Sequence, residues 1–414
     1  MFKEGSYLFI VRVLSAILGI VFSILVTRTT DSVSAGFFFF IISAVTTMTP
    51  LGMLGLGHMA LKKDFFLRDQ TAYFLRALGS IVFAAFFLGM IVTVLIYTYS
   101  DKLDYHGISI VVCVSILLIM ISGVLSEYLN FVFQSMRKAW LGTLALVVLR
   151  QFLCIVFIYF FNLSNIENII IFYSLVNSII VIFSLVYILV DGKGKQAVEG
   201  SDLTVFSKSM WSFVGTHTLG TVNGGLLPLF VGAILGTSSV AYFVIAHKVV
   251  SMVNFVIVPI NRVFAPRFAN AALNNSVSLL QSLASKAFIT ISSVSIPLLL
   301  SILIYSNEIL SIFGDGYAEK SSSVLKIMLL GQLVNVLCGT VGWLLQMSGE
   351  EKSYFFISLI GLLVSLSLGY FLSNILNVLA FAVAYSSSLI IVNLYSALVV
   401  WKKLKVNIFS FKWS

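Results

Sequence analysis

The sequence is poor in charge, in histidine and in cysteine, and each shortage excludes a class of protein. Asp, Glu, Lys and Arg make up 10% of the 414 residues, whereas a soluble domain carries roughly 25%. The four histidines and three cysteines are scattered and form no metal-ligand spacing, no disulfide framework and no paired catalytic set. We therefore predict no soluble catalytic domain, no metal site and no cofactor.

What the chain has instead is long apolar stretches. The hydrophobic fraction is 59%, and runs of about 20 residues that are apolar all round predict membrane-spanning helices. Barrel strands would alternate apolar and polar residues in segments of about ten. The prediction is an all-α integral membrane protein with about twelve helices, at 6–27, 34–57, 77–98, 108–130, 140–161, 168–190, 210–233, 238–261, 286–306, 323–346, 353–373 and 378–400.

The basic residues fall mainly on one side of these helices. With the N-terminus placed inside, the inner segments carry 18 Lys and Arg residues and the outer segments only Arg28, Lys102, Lys320 and Lys326. Such a bias sets the orientation of membrane proteins. It predicts that both termini are cytoplasmic, and it explains the net charge of +9 without nucleic acid.

The most polar stretch lies near the middle of the chain. Residues 191–207 (DGKGKQAVEGSDLTVFS) separate six predicted helices from six, which predicts two lobes, 1–195 and 196–414. The turns at 29–39 and 235–244 both place Ser-Val and Ala before an aromatic helix start. This favours a parallel repeat of the kind found in transporters, although chance similarity of two short turns is the alternative.

Five titratable side chains interrupt the predicted helices. A charge at the bilayer centre costs at least roughly 2.5–3.5 kcal/mol, so it normally faces a cavity or a partner. Three fixed cations and one histidine stand against a single carboxylate, so the interior is predicted to be net positive. These residues are Arg12, Glu127, Arg150, His217 and Lys248.

Arg12 continues into a stripe of small residues on one helix face. Ser15, Ala16, Gly19 and Ser23 follow it at helical spacing. The stripe suits a cavity wall, and it equally suits close helix packing. Arg12 could also extend to the inner headgroups, because it lies about two turns from the helix start.

Lys248 and His217 are candidates in the second half. Lys248 lies about ten residues from either end of its predicted helix, with no carboxylate well placed to pair with it, so we favour a cavity position. His217 opens a stretch rich in Gly (HTLGTVNGGLLP) that contains Asn223 and predicts a hinge or a binding wall. A packing role for the histidine is the alternative.

Arg150 and Glu127 both fall in the predicted cytoplasmic half. They could form a structural ion pair. If Glu127 is not paired in this way, it is the obvious intramembrane carboxylate for coupling transport to protons or Na⁺.

Several short motifs resemble those of one family. They include Val26-Thr27-Arg28, the Leu54-Gly55-Leu56-Gly57 helix end, the Phe133-Gln134 turn, and Arg262 with Pro266 and Arg267. With these, the chain resembles the polysaccharide (O-antigen) flippases of the multidrug/oligosaccharidyl-lipid/polysaccharide exporter (MOP) superfamily. It departs from them at Thr29-Thr30, where the family usually has Leu-Gly.

The resemblance implies two six-helix lobes around a central cavity in the bacterial inner membrane. It implies movement of an undecaprenyl-diphosphate-linked oligosaccharide to the outer leaflet by alternating access. Arg12 and Lys248 would bind the diphosphate, since Arg and Lys are natural phosphate partners. Arg28 and Arg262 would line the outer and inner mouths, and His217, Asn223 and Arg150 would complete the binding residues. Expected partners are membrane lipids, a glycan polymerase and its chain-length machinery, and a monomer suffices.

Two rival functions stay open. A multidrug exporter of the same superfamily would suit organic cations and usually carries acidic residues, of which Glu127 is the candidate. A membrane glycan polymerase would need a large outer loop, and the outer loops here are short.

Overall fold

A computed structural model describes residues 2–57, 60, 70–105, 108–191, 219, 224–274 and 276–407. Side chains are described from residue 7 onward, apart from those of 70–73 and 191. These residues form helices joined by short turns, and no strand occurs among them. The all-α prediction is confirmed.

The first half of the chain forms six long helices. The fifth contains a π-helical turn, Leu144–Leu149, in its middle, and the short connection after the third is a 3₁₀ turn, Ser100–Leu103. The helices are α1 (Phe2–Thr29), α2 (Ser32–Gly52), α3 (Gln70–Thr98), α4 (Ile110–Ser135), α5 (Ala139–Phe160) and α6 (Ile166–Asp191).

The second half contributes seven more helices within its described residues. Short helices at Ser306–Ser311 and Val341–Met347 precede and follow the fifth of them. The seven are α7 (Gly224–Leu235), α8 (Thr237–Ser251), α9 (Asn254–Leu273), α10 (Val277–Ile304), α11 (Tyr317–Cys338), α12 (Glu351–Leu376) and α13 (Val378–Val399).

The number of membrane crossings agrees with the prediction. Ten of the described helices are long and apolar enough to span a membrane, and α8 with α9 forms an eleventh span that is bent by 46°. Helix α7 is a shorter apolar helix. Since each predicted span has a described helix, the prediction of about twelve is confirmed.

Two predicted helices are broken where the sequence pattern gave continuous spans. The span predicted at 238–261 breaks at Met252 and Val253 and then continues to Leu273. The span predicted at 323–346 ends at Cys338, because Gly339 adopts a positive φ of 66° that terminates the helix. Hydropathy does not report such breaks, since the residues on both sides of each break are apolar.

Helix starts follow ordinary capping chemistry. The Asp31 carboxylate accepts hydrogen bonds from the backbone N–H of Val33 (3.0 Å) and Ser34 (3.2 Å) at the start of α2. Burial alone would raise the pKa of Asp31, but the hydrogen bonds from Ser34 and Val33 outweigh it and lower that pKa. Ser109 and Ser276 cap α4 and α10 in the same way.

The chain divides into two compact units. One comprises Met1–Ser207 with Gly224–Ala241, and the other comprises Lys208–Asn223 with Tyr242–Ser414. Helix α7 and the first turn of α8 therefore pack with the first half of the chain. The lobe boundary predicted at residues 195 and 196 falls outside the described residues and stays a prediction.

The last described residues of the chain pack against the second unit. Val400 and Val406 are fully buried in a cluster with residues of α9, α10 and α12. The Gln281 side chain donates to the carbonyl of Asn407 (2.6 Å) and accepts from its backbone N–H (2.7 Å). Lys403 pairs with Glu350 at 2.5 Å, so two polar contacts hold the terminal segment against the unit.

Candidate functional site

Arg12 is half-buried on α1, and the small residues after it face α5. A Cβ added to Gly19 would lie 3.0 Å from the side-chain nitrogen of Gln151 on α5. Ser23 is fully buried and its hydroxyl donates to the carbonyl of Gly19 (2.7 Å). The sequence allowed either a cavity wall or close helix packing for this stripe. At Gly19 the structure shows close packing of α1 against α5.

Arg150 is placed by the π-helical turn that ends at Leu149. Its Nη1 donates to the Oδ1 of Asn177 on α6 (3.2 Å), and the Nδ2 of Asn177 donates to the hydroxyl of Ser122 on α4 (2.6 Å). A chain of polar contacts thus joins α5, α6 and α4 inside the membrane span. π-Turns often occur at functional sites, because the extra residue redirects a side chain.

An aromatic group covers the same guanidinium. The Cζ of Arg150 lies 5.7 Å from the ring centroid of Tyr173, within cation–π range. Tyr173 in turn contacts the ring of Phe22 at 5.9 Å and that of Phe38 at 5.4 Å. Side chains of α1, α2 and α6 therefore meet at Tyr173, whose ring covers the Arg150 guanidinium.

Glu127 is the carboxylate of this cluster. It is half-buried on α4 and interacts electrostatically with Arg150 first and with Arg12 second. Within the described part of the chain, no ion pair closes between Glu127 and Arg150, whose hydrogen bond goes to Asn177. Glu127 and Arg150, predicted as a possible ion pair, therefore interact at longer range. The same carboxylate also interacts with Arg12.

Lys248 lies in the second unit, on α8. No residue of Thr237–Ser251 is exposed, whereas the lipid-facing helix α3 exposes 75% of Phe83. Lys248 and His247 are nevertheless half-buried. Lys248 is thus a partly accessible cation on a helix without an exposed face, and its predicted cavity position stays a prediction.

Aromatic side chains surround the neighbour of Lys248. The ring of His247 meets that of Tyr385 edge-on at 5.1 Å and stacks on Phe243 at 6.3 Å. Tyr385 is on α13 and is itself half-buried. The Lys248 region therefore combines one cation with an aromatic wall.

The remaining predicted residues are exposed or fall outside the described part of the chain. Arg28, at the end of α1, and Arg262, on α9, are exposed. His217 and Asn223 lie outside the described residues. The structure thus brings together Arg12, Glu127 and Arg150 in one unit and places Lys248 and Arg262 in the other.

Several site residues escaped the sequence reasoning. Asn177 was detectable as an amide in the middle of an apolar run, a position where a polar group requires a partner. Gln151 was detectable in the same way, whereas Tyr173 and Tyr385 had no such signal, because aromatic residues are common in membrane helices. His247 adjoins Lys248 but was one of four scattered histidines.

Among the described residues, no group of three or more His, Cys, Asp or Glu side chains is arranged to hold a metal ion. Cys113, Cys154 and Cys338 are free thiols.

The fold and the charged interior define a multi-pass membrane protein. The MatE family model matches residues 221–371. A putative O-antigen transporter of Shigella flexneri is 24% identical over 189 residues, and this match covers 44% of each chain. The chain therefore matches less than half the length of that relative.

Solved structures extend the likeness to nearly the whole chain. An inward-facing multidrug resistance MATE family transporter of the MOP superfamily superposes with a TM-score of 0.69, 13% identity and 94% coverage of both chains. The lipid II flippase MurJ, in an inward closed conformation, gives 0.69 with 15% identity, covering 94% of this chain and 86% of that one. A MOP superfamily transporter from Pyrococcus furiosus gives 0.60 with 13% identity, covering 98% and 95%. The chain has the MOP transporter fold, which confirms the resemblance seen in its motifs.

Proposed function

We propose that this protein is a flippase that moves a lipid-linked oligosaccharide, carried on undecaprenyl diphosphate, across the bacterial inner membrane. The observation that carries the proposal is the charge of the membrane interior. Arg12, Arg150 and Lys248 lie in the described helices, and Glu127 is the carboxylate that acts electrostatically on Arg150 and Arg12. Because a buried excess of positive charge is costly in lipid, an anionic cargo accounts for it better than a cationic drug.

The two clusters differ in how they hold their charge. The Arg150 guanidinium is bonded to Asn177 and covered by Tyr173, so in this proposal it supplies a fixed field and does not close on the cargo. Arg12 and Lys248 are half-buried side chains. They are the residues proposed to bind the diphosphate, which accepts charge-assisted hydrogen bonds from both side chains.

The names of similar proteins support the proposed flippase function. One is named a putative O-antigen transporter and another a lipid II flippase. A third is a multidrug transporter with an equal TM-score, so cation export is the second candidate, with Glu127 as its acidic residue. In either case Glu127 is the residue proposed to couple transport to protons or Na⁺.

Flipping in liposomes tests the proposal. The purified protein is reconstituted with fluorescent undecaprenyl-diphosphate oligosaccharide, and the head group exposed on each leaflet is followed with a membrane-impermeant quencher. Arg12→Ala and Lys248→Ala are compared with Lys102→Ala, which removes an exposed charge outside the spans. We expect the first two variants to lose flipping and the control to retain it.

Two outcomes would contradict the proposal. If Arg12→Ala and Lys248→Ala flip at the wild-type rate, these cations do not bind the diphosphate. If wild-type protein leaves the lipid in place but extrudes ethidium from the same vesicles, the protein is a cation exporter. Melting curves of each variant in detergent show whether a loss of flipping reflects a loss of folding.

A further inference from the structure

An apolar groove runs along the lipid-facing side of α3, within the first unit. Its volume is about 590 Å³, and it is lined by Leu54, Gly79, Ser80, Phe83, Ala84 and Phe87. Leu54, Phe83 and Phe87 are each more than half exposed, so the groove opens away from the protein. We call it the α3 groove.

Gly79 leaves part of the α3 groove open. A Cβ added to Gly79 would meet nothing within 4 Å, whereas one added to Gly89 on the same helix would lie 2.7 Å from Leu117 of α4. Gly89 therefore permits close helix packing, but Gly79 does not. The space beside Gly79 is available to a molecule outside the protein.

One wall of the α3 groove comes from a turn with an unusual backbone. Leu54 follows α2 and has a φ of +51°, a conformation that residues other than Gly, Asn and Asp rarely adopt. Such conformations persist where the surrounding structure holds them. Here the turn presents an exposed leucine side chain to the groove, and an apolar occupant would cover that side chain.

A cation lies on the same face of α3, at one end of the groove. Arg76 is exposed and lies one turn before Ser80, whose hydroxyl donates to the carbonyl of Arg76 (3.0 Å). Phe83 and Phe87 follow Arg76 at seven and eleven residues, so all four residues share one helix face. The helix Gln70–Thr98 contains no acidic residue. A positive charge followed by an apolar groove complements the phosphate and the tail of a lipid.

The length of this face matches one leaflet of a membrane. From Arg76 to Phe87 the helix rises about 16 Å, and half of the hydrocarbon core of a bilayer is about 15 Å thick. By the orientation predicted from charge, Arg76 lies at the level of the inner headgroups and Phe87 near the midplane. An acyl chain of a membrane phospholipid covers the same distance, whereas the undecaprenyl tail of the proposed cargo is far longer.

We propose that the α3 groove binds one anionic phospholipid of the inner leaflet, with its phosphate on Arg76 and an acyl chain along Gly79, Phe83 and Phe87. The guanidinium of Arg76 donates charge-assisted hydrogen bonds to phosphate oxygens. A headgroup with net negative charge is attracted to this cation more strongly than a zwitterionic one. The inference does not depend on which cargo the protein transports.

Two substitutions separate the contributions of headgroup and tail. Purified protein in detergent is titrated with phosphatidylglycerol or with phosphatidylcholine of the same acyl chains, and native mass spectrometry gives the dissociation constant of the first bound lipid. Arg76→Gln should weaken phosphatidylglycerol binding by about fivefold, the effect of one surface cation on an anionic lipid, and leave phosphatidylcholine binding unchanged. Gly79→Leu should fill the groove and weaken the binding of both lipids.

Matched controls leave the groove intact. Arg137→Gln removes another exposed cation that the predicted orientation places on the inner side, and Val94→Leu adds bulk at an exposed position further along α3. Both variants should bind the two lipids as wild type does. Because Leu forms helices better than Gly, Gly79→Leu should not lower the melting temperature in lipid-free detergent. Added phosphatidylglycerol should raise the melting temperature of Gly79→Leu less than that of wild type.

Three outcomes would overturn the proposal. The first is equal affinity of wild-type protein for the two lipids, or a preference for phosphatidylglycerol that Arg76→Gln retains. The second is unchanged lipid binding by Gly79→Leu. The third is displacement of phosphatidylglycerol by a lower concentration of undecaprenyl phosphate, which would make the groove a site for the cargo lipid. None of these measurements uses transport, so failure of the proposed function would leave their result unchanged.

Discussion

Arg150 donates a hydrogen bond of 3.2 Å to Asn177, and this contact defines the polar interior of the first unit. The side-chain Nδ2 of Asn177 donates a second hydrogen bond, to the hydroxyl of Ser122. A cation in the membrane is thereby held by neutral groups, while the carboxylate of Glu127 acts on it from a longer distance. In the proposed function, an anionic cargo would meet the positive field of Arg150, which its hydrogen bond to the neutral Asn177 does not cancel.

Replacing Asn177 with Leu should destabilise the protein. The change leaves the Arg150 guanidinium and the Ser122 hydroxyl without this partner, and loss of a buried hydrogen-bond partner costs about 1–3 kcal/mol. We expect a lower melting temperature in detergent, measured by intrinsic fluorescence. Ser178→Ala is the control, since the Ser178 hydroxyl donates to the carbonyl of Ser174 within its own helix. Equal melting temperatures for the two variants would refute the structural importance of this contact.

Gly19 should tolerate Ala but not Leu. The nearest atom to an added Cβ is the side-chain nitrogen of Gln151 at 3.0 Å, at the flexible end of a side chain that can move. A Leu cannot fit without displacing α1 from α5, and overpacking typically costs about 1–3 kcal/mol. The double variant Gly19→Leu/Gln151→Ala should recover part of the lost stability. No recovery would show that the two residues do not limit this packing.

Glu127→Gln should separate transport from its driving force. The substitution keeps the shape of the side chain and removes the negative charge that faces Arg12 and Arg150. If Glu127 couples transport to protons, flipping by the variant should no longer respond to a pH gradient across the liposome. Glu308→Gln, an exposed change, should retain the response. A normal pH response in Glu127→Gln would remove Glu127 from the coupling step.

Gly236 and Gly316 offer a matched pair, because both adopt a positive φ, +80° and +82°. Alanine at such a conformation costs roughly 1–2 kcal/mol at either position. An added Cβ on Gly236 also collides with the Asp104 carboxylate, whereas one on Gly316 meets nothing within 4 Å. Gly236→Ala should therefore lower the melting temperature more than Gly316→Ala does, and Asp104→Ala should reduce that difference.

The Lys403–Glu350 pair should show a defined pH dependence. The hydrogen bond from Lys403, followed by that from Ser353, lowers the pKa of Glu350 below its ordinary value of 4.5. The pair therefore stabilises the fold above pH 4.5, and the contribution is lost as the pH falls through the lowered pKa. Because Lys403 is 50% exposed, Lys403→Ala should cost at most about 1 kcal/mol. Melting temperatures of the variant and wild type should differ at pH 7 and converge at pH 3.

Much of the architecture was predictable because the lipid bilayer restricts which segments can cross it. A helix must be long and apolar to cross the membrane, so the spans appear directly as runs in the sequence. The charges at Arg12, Glu127, Arg150 and Lys248 were visible for the same reason, since any charge inside such a run is conspicuous. The breaks after Ser251 and Cys338 were not predictable, because apolar residues continue across both.

The sequence by itself determined the class of protein, the number of crossings and the excess of positive charge inside them, because these follow from local composition and length. Only the tertiary structure decided that Arg150 bonds to Asn177, that Gly19 faces Gln151 and that α7 packs with the first half of the chain. Those facts depend on contacts between residues far apart in the sequence. One apolar helix face looks much like another until its partner is known, so hydropathy alone could not assign them.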